Sequence, residues 1–294
     1  MKIRKLGAID IGSNGVRLLI ANVTEIDGKK PVFSKSSLVR VPIRLGADVF
    51  LDGNISPENA TRLSDSMKAF DLLMKVNKVE KYMACATSAM REAKNGETIA
   101  QEIRKKTGVQ IRIIGGAEEA AIIASTDLKA MIKDDKDYLY IDVGGGSTEF
   151  TVFSKGQVIA SRSFPIGTVR LLDNKVNNKT WKEVEAWIKE NTSKHDKLEA
   201  IGSGGNINRI FKDSGRKKDQ PLTYKFLRNH AKYLSTFSYE QRVYDLGYNP
   251  DRADVITHAL SIYLNAMKWS KAKRIHVPKI GLSDGIIKTL YDQK

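Results

Sequence analysis

The sequence predicts an α/β protein made of two duplicated halves that face each other across a central cleft. Three observations carry this reading. Ala8–Ile20 (AIDIGSNGVRLLI) and Tyr140–Val152 (YIDVGGGSTEFTV) match at an offset of 132 positions, which lays Asp10 on Asp142 and Gly12 on Gly144. A second echo follows in each half, at Lys81–Glu92 (KYMACATSAMRE) and Leu198–Arg209 (LEAIGSGGNINR). Finally, 294 residues is long for one hydrophobic core, and chains of this length tend to split in two.

Each first-echo segment is a short apolar strand ending in Asp, a small-residue turn and a second apolar segment. In the later copy Glu149, Phe150, Thr151 and Val152 alternate polar and apolar, the mark of a strand, so each copy reads as a β-hairpin. Asn14-Gly15 is a favoured tight-turn dipeptide. Helical stretches at Pro57–Val76 and Trp181–Asn191 separate each hairpin from the second echo, which reads as strand, turn and helix. Val109–Ile114 reads as a strand that leads into a helix opening at Gly115.

The turns at Gly12–Gly15, Gly144–Thr148 and Gly202–Asn206 set small residues where backbone N–H groups can point outward together, an arrangement that binds phosphate oxygens. Ser13, Asn14, Ser147, Thr148 and Ser203 add side-chain donors, and Gly144, Gly145, Gly146, Gly204 and Gly205 supply the open backbone. No Gly-Lys-Ser/Thr follows, which excludes a Walker A loop, and Glu149 stands where a dinucleotide fingerprint needs its third glycine. A carboxylate beside bound phosphate calls for a cation between them. Asp10, Asp142 and Glu149 therefore read as candidate ligands of Mg2+ or Mn2+, with capping of the local turns as the other reading of each Asp. Glu118 and Glu119 fall in a first helical turn, where spacing alone favours pairing with the helix dipole.

The net charge of +15 is shared between the halves and suits a polyanionic partner. No helix-turn-helix, finger spacing or basic stripe with interleaved aromatics is found, so specific nucleic-acid binding is not expected. No apolar run reaches the length of a membrane span, and Asp10 interrupts the apolar stretch that a secretory signal would need. Cys85, the lone cysteine, reads as a core residue. These features point to a cytoplasmic protein. His195, His230, His258 and His276 lack metal-ligand spacing.

Taken together, Ala8–Ile20, Ala86–Gly96 (ATSAMREAKNG), Ile113–Ala120 (IIGGAEEA), Tyr140–Phe150, Phe164–Asp173 (FPIGTVRLLD), Gly202–Ile210 (GSGGNINRI) and Pro250–Ile256 (PDRADVI) resemble the exopolyphosphatase and guanosine pentaphosphate phosphohydrolase (Ppx/GppA) family. The resemblance implies two ribonuclease-H-like domains, residues 1–126 and 127–280, with a final helix in 281–294 packing back on the first, and the short form of the family without a C-terminal HD-type region. It implies Mg2+-dependent hydrolysis of terminal phosphates from polyphosphate or guanosine pentaphosphate. Glu119 matches the residue that activates the attacking water, against the bland reading from spacing. Asp10, Asp142 and Glu149 match the family's acidic positions, and Arg91 and Arg17 join the phosphate-binding set. Two departures are visible: Ser283 stands where the family has an arginine, and Thr257-His258-Ala259 replaces Pro-Ala-Gly. An ATPase or kinase of the same superfamily and a non-catalytic polyphosphate or alarmone sensor are the alternatives. A homodimer is compatible with the sequence, which does not fix the oligomeric state.

Overall fold

Both hairpins are present in the computed structural model, and each opens a sheet of the same strand order. The structure describes residues 1–126, 132, 136–195, 197–217 and 219–293. The chain divides into two compact units, Met1–Thr126 with Leu282–Lys294, and Asp127–Gly281.

In the first unit β1 (Lys2–Ile11) and β2 (Val16–Glu25) form the hairpin, and β3 (Val32–Val41) extends it. Helices α1 (Leu45–Asp52) and α2 (Pro57–Val76) then lead to β4 (Lys81–Ala86), α3 (Ser88–Glu92), α4 (Gly96–Thr107), β5 (Ile111–Ile113) and α5 (Gly116–Ala124). The sheet order is β3-β2-β1-β4-β5, with β1 antiparallel to β2 and parallel to β4. β1 is central, and its run from Leu6 to Ile11 is buried, which is why it reads as continuously apolar up to Asp10. α2 begins where the sequence placed it, because Ser56 caps the Asn59 amide and Pro57 occupies the first turn. Its buried stripe, Leu63, Met67, Phe70 and Met74, follows the helical period.

The second unit repeats the plan. β6 (Tyr138–Val143) and β7 (Thr148–Ser154) are the hairpin, followed by β8 (Gln157–Phe164), α6 (Thr168–Leu172), α7 (Asn178–Thr192), β9 (Glu199–Ser203) and α8 (Gly205–Asp213). β10 (Leu222–Thr223), α9 (Tyr224–Ser235), α10 (Tyr239–Tyr244), α11 (Pro250–Ala253), α12 (Ile256–Trp269) and β11 (Arg274–His276) complete it. The order β10-β11-β9-β6-β7-β8 contains the first unit's order, read from β8, with β10 added at the edge. Leu139, Ile141, Phe150 and Val152 of the hairpin share one core with Leu260, Tyr263 and Met267 of α12.

The last helix, α13 (Leu282–Asp292), belongs to the first unit, where it packs on β1, β2, β4 and α5. Gly285 allows this approach, because a Cβ there would lie 2.3 Å from the Ile122 carbonyl oxygen. Lys35 to Asp284 at 2.8 Å and the Tyr291 hydroxyl to Glu25 at 2.7 Å fix the helix on the hairpin. Among the described residues no helix is long and apolar enough to cross a membrane.

Candidate functional site

The two glycine turns are built alike. The amide of Gly12 donates to the Gly15 carbonyl at 3.1 Å, and the amide of Gly144 donates to the Ser147 carbonyl at 3.0 Å. In each unit the turn then rests on the helix that follows the third strand: Gly46 of α1 donates to the Ser13 carbonyl at 2.9 Å, and Val169 of α6 donates to the Gly145 carbonyl at 2.8 Å. An arginine takes the next carbonyl, Arg40 on Asn14 at 3.3 Å and Arg170 Nε on Gly146 at 2.6 Å.

These carbonyl contacts orient the amides. In the second turn the carbonyls of Gly144, Gly145 and Gly146 all point toward Thr168, Val169 and Arg170. In a trans peptide the following N–H points the other way, and the described chain has no cis peptide. The amides of Gly145, Gly146 and Ser147 are thereby turned away from α6, an arrangement of donors of the kind that suits an anion. In the first turn the same argument turns the amides of Asn14 and Gly15 away from α1 and Arg40.

The carboxylates differ between the units. Asp10, 6% exposed at the end of β1, is ion-paired with Arg17 directly opposite on β2, Oδ2 to Nη1 at 2.9 Å. Burial raises its carboxyl above the usual carboxylate range, against the opposing pull of Arg17 and Arg40. Asp142, at the matching place on β6, faces Glu149 on β7 instead. Glu149 Oε1 accepts from the Ser147 hydroxyl at 2.7 Å and the Ser163 hydroxyl at 2.8 Å. Tyr140 donates to Asp142 Oδ2 at 3.4 Å, and Tyr263 donates to the Ser203 carbonyl. Burial, followed by the Asp142 charge, pushes both phenols well up, so they stay protonated donors.

The third turn closes on the same place. Gly204 adopts φ +111°, and a Cβ there would come to 2.8 Å from the Val143 carbonyl and 3.6 Å from Asp142 Oδ1. Gly204 and Gly205 thus bring the start of α8 against the end of β6.

Several side chains expected to contact phosphate also make contacts within the fold. Thr148 is fully buried and its hydroxyl donates to the Ile166 carbonyl. Ser203 donates to the Ile280 carbonyl at 2.8 Å, and Ser13 pairs with Ser88 at 2.8 Å, both buried. Asn14 Oδ1 accepts from Arg44 Nε at 2.9 Å, and Arg91 donates to the Ile114 carbonyl at 2.8 Å.

The two adjacent glutamates of α5 separate clearly. Glu118 is exposed and ion-paired with Arg112, whereas Glu119 is only 9% exposed. Motif reading missed Arg40, on β3, and Arg44, just before α1, because neither segment carries a turn signature and Arg40's position opposite Arg17 emerges only from strand register. Arg170 was visible within the Phe164–Asp173 motif but had no assigned partner. Cys85 is buried, which pushes its thiol up to about 11, and His195 and His276 pair with Asp137 and Glu199. Ser283, 7% exposed, lies in the first turn of α13.

Two units of one α/β topology, each ending its first strand in an Asp and a glycine turn, define a duplicated ribonuclease-H-like protein of the actin-like class. Within that class the chain belongs to the Ppx/GppA phosphatase family, whose sequence pattern matches residues 23–294. It is 33% identical over 196 residues to the bifunctional 3-dehydroquinate synthase/phosphatase of Fusobacterium nucleatum, covering 63% of this chain and 29% of that protein. It is 30% identical over 178 residues to exopolyphosphatase 2 of Mycobacterium tuberculosis, covering 59% of this chain and 55% of that protein. The alignments thus span about half or less of the length of these relatives. Among solved structures, an exopolyphosphatase from Cytophaga hutchinsonii matches with a TM-score of 0.84 at 23% identity, covering 99% of this chain and 98% of that one. A Ppx/GppA family member from Aquifex aeolicus matches with a TM-score of 0.76 at 24% identity, covering 99% of both. At these identities the structural likeness establishes the fold.

Proposed function

We propose that this protein hydrolyses the terminal phosphoanhydride bonds of inorganic polyphosphate or of a nucleotide such as guanosine pentaphosphate. The observation that carries the reading is the row of amides from Gly145 to Ser147, held outward by three carbonyl contacts to α6 and its arginine. Such preorganised donors hold a phosphoryl group and stabilise the charge that builds on it during transfer. The exopolyphosphatase names among the relatives support the same chemistry.

Glu119 serves as the base that orients the attacking water and takes its proton, being the less exposed member of the α5 pair. The second unit's amides bind the phosphoryl oxygens, and its paired carboxylates Asp142 and Glu149 suit a divalent cation. Among the described residues no group of three or more His, Cys, Asp or Glu is placed to hold a metal ion. Mg2+ or Mn2+ is commonly bound by one or two carboxylates and completed by water and substrate phosphate. Such an ion would neutralise phosphate charge. Asp10, already matched to Arg17, is assigned here to positioning that arginine and not to metal binding.

The test is release of phosphate from a panel of polyphosphates and nucleotides, with and without Mg2+ or Mn2+. Release that needs the cation supports the proposal. Tight binding with no release from any substrate would instead favour a sensor, the reading that the buried Ser283 at the expected arginine position favours.

A further inference from the structure

The parallel ladders beside the two aspartates end differently. In the first unit β1 and β4 pair with Asp10 opposite Cys85 and then Ile11 opposite Ala86, and the Thr87 amide donates to the Ile11 carbonyl at 3.1 Å. In the second unit the pairing of β6 with β9 ends where Asp142 stands opposite Ser203. The chain leaves the sheet there, through Gly204 at φ +111°, and enters α8. The third glycine turn thus begins one ladder step earlier than its counterpart, and groups from elsewhere in the unit must hold it.

Tyr263 of α12 is one of those groups, and it comes from 60 positions further along the chain. Its side chain is fully buried in the core that Leu139, Ile141 and Phe150 of the hairpin share. Its hydroxyl donates to the Ser203 carbonyl. That contact orients the whole Ser203-Gly204 peptide, because the peptide is trans and the Gly204 N–H must then point away from the phenol. The Ser203 hydroxyl is held as well, donating to the Ile280 carbonyl at 2.8 Å. A Cβ on Gly204 would lie 2.8 Å from the Val143 carbonyl oxygen, 3.5 Å from the Tyr263 hydroxyl and 3.6 Å from Asp142 Oδ1. The phenol therefore stands where the third turn, the end of β6 and the Asp142 carboxylate meet. No motif in the sequence marks it, since a tyrosine on the apolar face of a helix reads as core.

We infer that Tyr263 is a positioning residue, whose hydroxyl fixes the third glycine turn against the end of β6 in the orientation that holds a phosphate group. The inference rests on the reading of the substrate as a polyphosphate-type anion. A phenol suits the task. Its ring is locked by the core around it, so the hydroxyl is carried to one point. A buried carbonyl that loses its only strong donor pays the full cost of desolvation, so without the hydroxyl the turn shifts toward another partner. Backbone donors grip an anion only while they stay within about 0.5 Å of the productive geometry.

The test uses inorganic tripolyphosphate as the probe, in chelator so that turnover does not intervene. Its Kd is measured by calorimetry, well below every Tm, for the wild type, Tyr263→Phe and Met267→Ala. Tyr263→Phe removes only the hydroxyl. Met267→Ala opens a cavity one turn further along α12, in the same core, and leaves the hydroxyl in place. We expect Tyr263→Phe to bind about tenfold or more weakly, as loss of a buried hydrogen-bond partner implies. Met267→Ala should lose Tm, as cavities do, and keep the wild-type Kd. A merely structural tyrosine would lower Tm and leave Kd unmoved in both variants. Wild-type affinity in Tyr263→Phe overturns the inference, and so does an equal loss of affinity in Met267→Ala. Failure of Tyr263→Phe to fold, or of the wild type to bind tripolyphosphate, overturns it too. Wild-type protein that binds tripolyphosphate but releases no phosphate once metal is restored would remove the hydrolase reading and leave this one standing.

Discussion

Gly167 lies so close to Gly145 that a Cβ on it would fall 2.3 Å from the Gly145 carbonyl oxygen and within 2.5 Å of the Gly146 carbonyl carbon. The obstacle is backbone, not the end of a flexible side chain. Gly167 is thus what lets α6 reach the carbonyls of the second glycine turn and turn its amides outward.

Gly167→Ala should therefore move the turn. The expected cost is about 1–3 kcal/mol of stability, typical of forcing an extra methyl into a packed site. Thermal unfolding measures that cost, and calorimetry with tripolyphosphate should show weakened binding in the same variant. A Gly167→Ala protein with wild-type Tm and affinity would mean that the contact between turn and helix does not shape the site.

Glu119→Gln should lower kcat by about two to four orders of magnitude and leave tripolyphosphate affinity nearly intact. Glu118→Gln should change kcat little, because that side chain is exposed and its ion pair with Arg112 is of the kind worth about 1 kcal/mol or less. The ratio of the two effects in a phosphate-release assay is the decisive number. Equal effects would sink the assignment of the base.

Asp142→Asn should raise the Mg2+ concentration for half-maximal activity by about tenfold or more, the scale set by losing support at a metal site. Asp10→Asn should leave that concentration unchanged within about twofold, since Asp10 is matched to Arg17. A metal titration of both variants reads the difference. A comparable shift in Asp10→Asn would return Asp10 to the ligand set.

Cys85 should be inert in the folded protein at pH 8. Its folded thiol titrates near 11, above its ordinary value, because burial disfavours the thiolate. The sign follows from linkage. The stability contributed by the protonated thiol is fully present below the unfolded pKa and is lost as pH rises through about 11. Thiol-reagent labelling at pH 8 should appear only after denaturation, and rapid labelling of native protein would contradict the burial.

Long polyphosphate should lose apparent affinity with salt more steeply than tripolyphosphate does, because outlying cations add contacts that salt screens. Among candidates for those contacts, Lys218 lies outside the described residues, and Arg216 is engaged with the Pro221 carbonyl at 2.6 Å. Lys217 is exposed, and α9 exposes Lys225, Arg228 and Lys232 without a single acidic residue in the helix. Charge reversal of Lys217 with the three α9 cations should raise KM for long chains and spare the short substrate. KM against salt, measured for both lengths, would show parallel slopes if the basic surface plays no part.

The hairpins, the α2 and α7 helices and the three glycine turns were legible in the sequence, because each is specified within a few residues. Apolar alternation marks the strands of residues 8–20 and 140–152, Ser56 and Pro57 start α2, and small residues mark the turns. The offset between Asp10 and Asp142 was enough to show the duplication. Which groups meet was decided by tertiary structure. Glu118 and Glu119 are indistinguishable by spacing, and only the packing of α5 exposes one and shelters the other. The partner of the Thr148 hydroxyl, the Ile166 carbonyl, lies 18 positions on and was not legible from the turn itself. Arg40 lies 30 positions from Asp10 and joins its row only because the β1–β2 and β2–β3 registers place both opposite Arg17. A turn or a helix is fixed by neighbours along the chain, whereas a site's charge pattern is fixed by strand register, which depends on pairings between segments far apart in sequence.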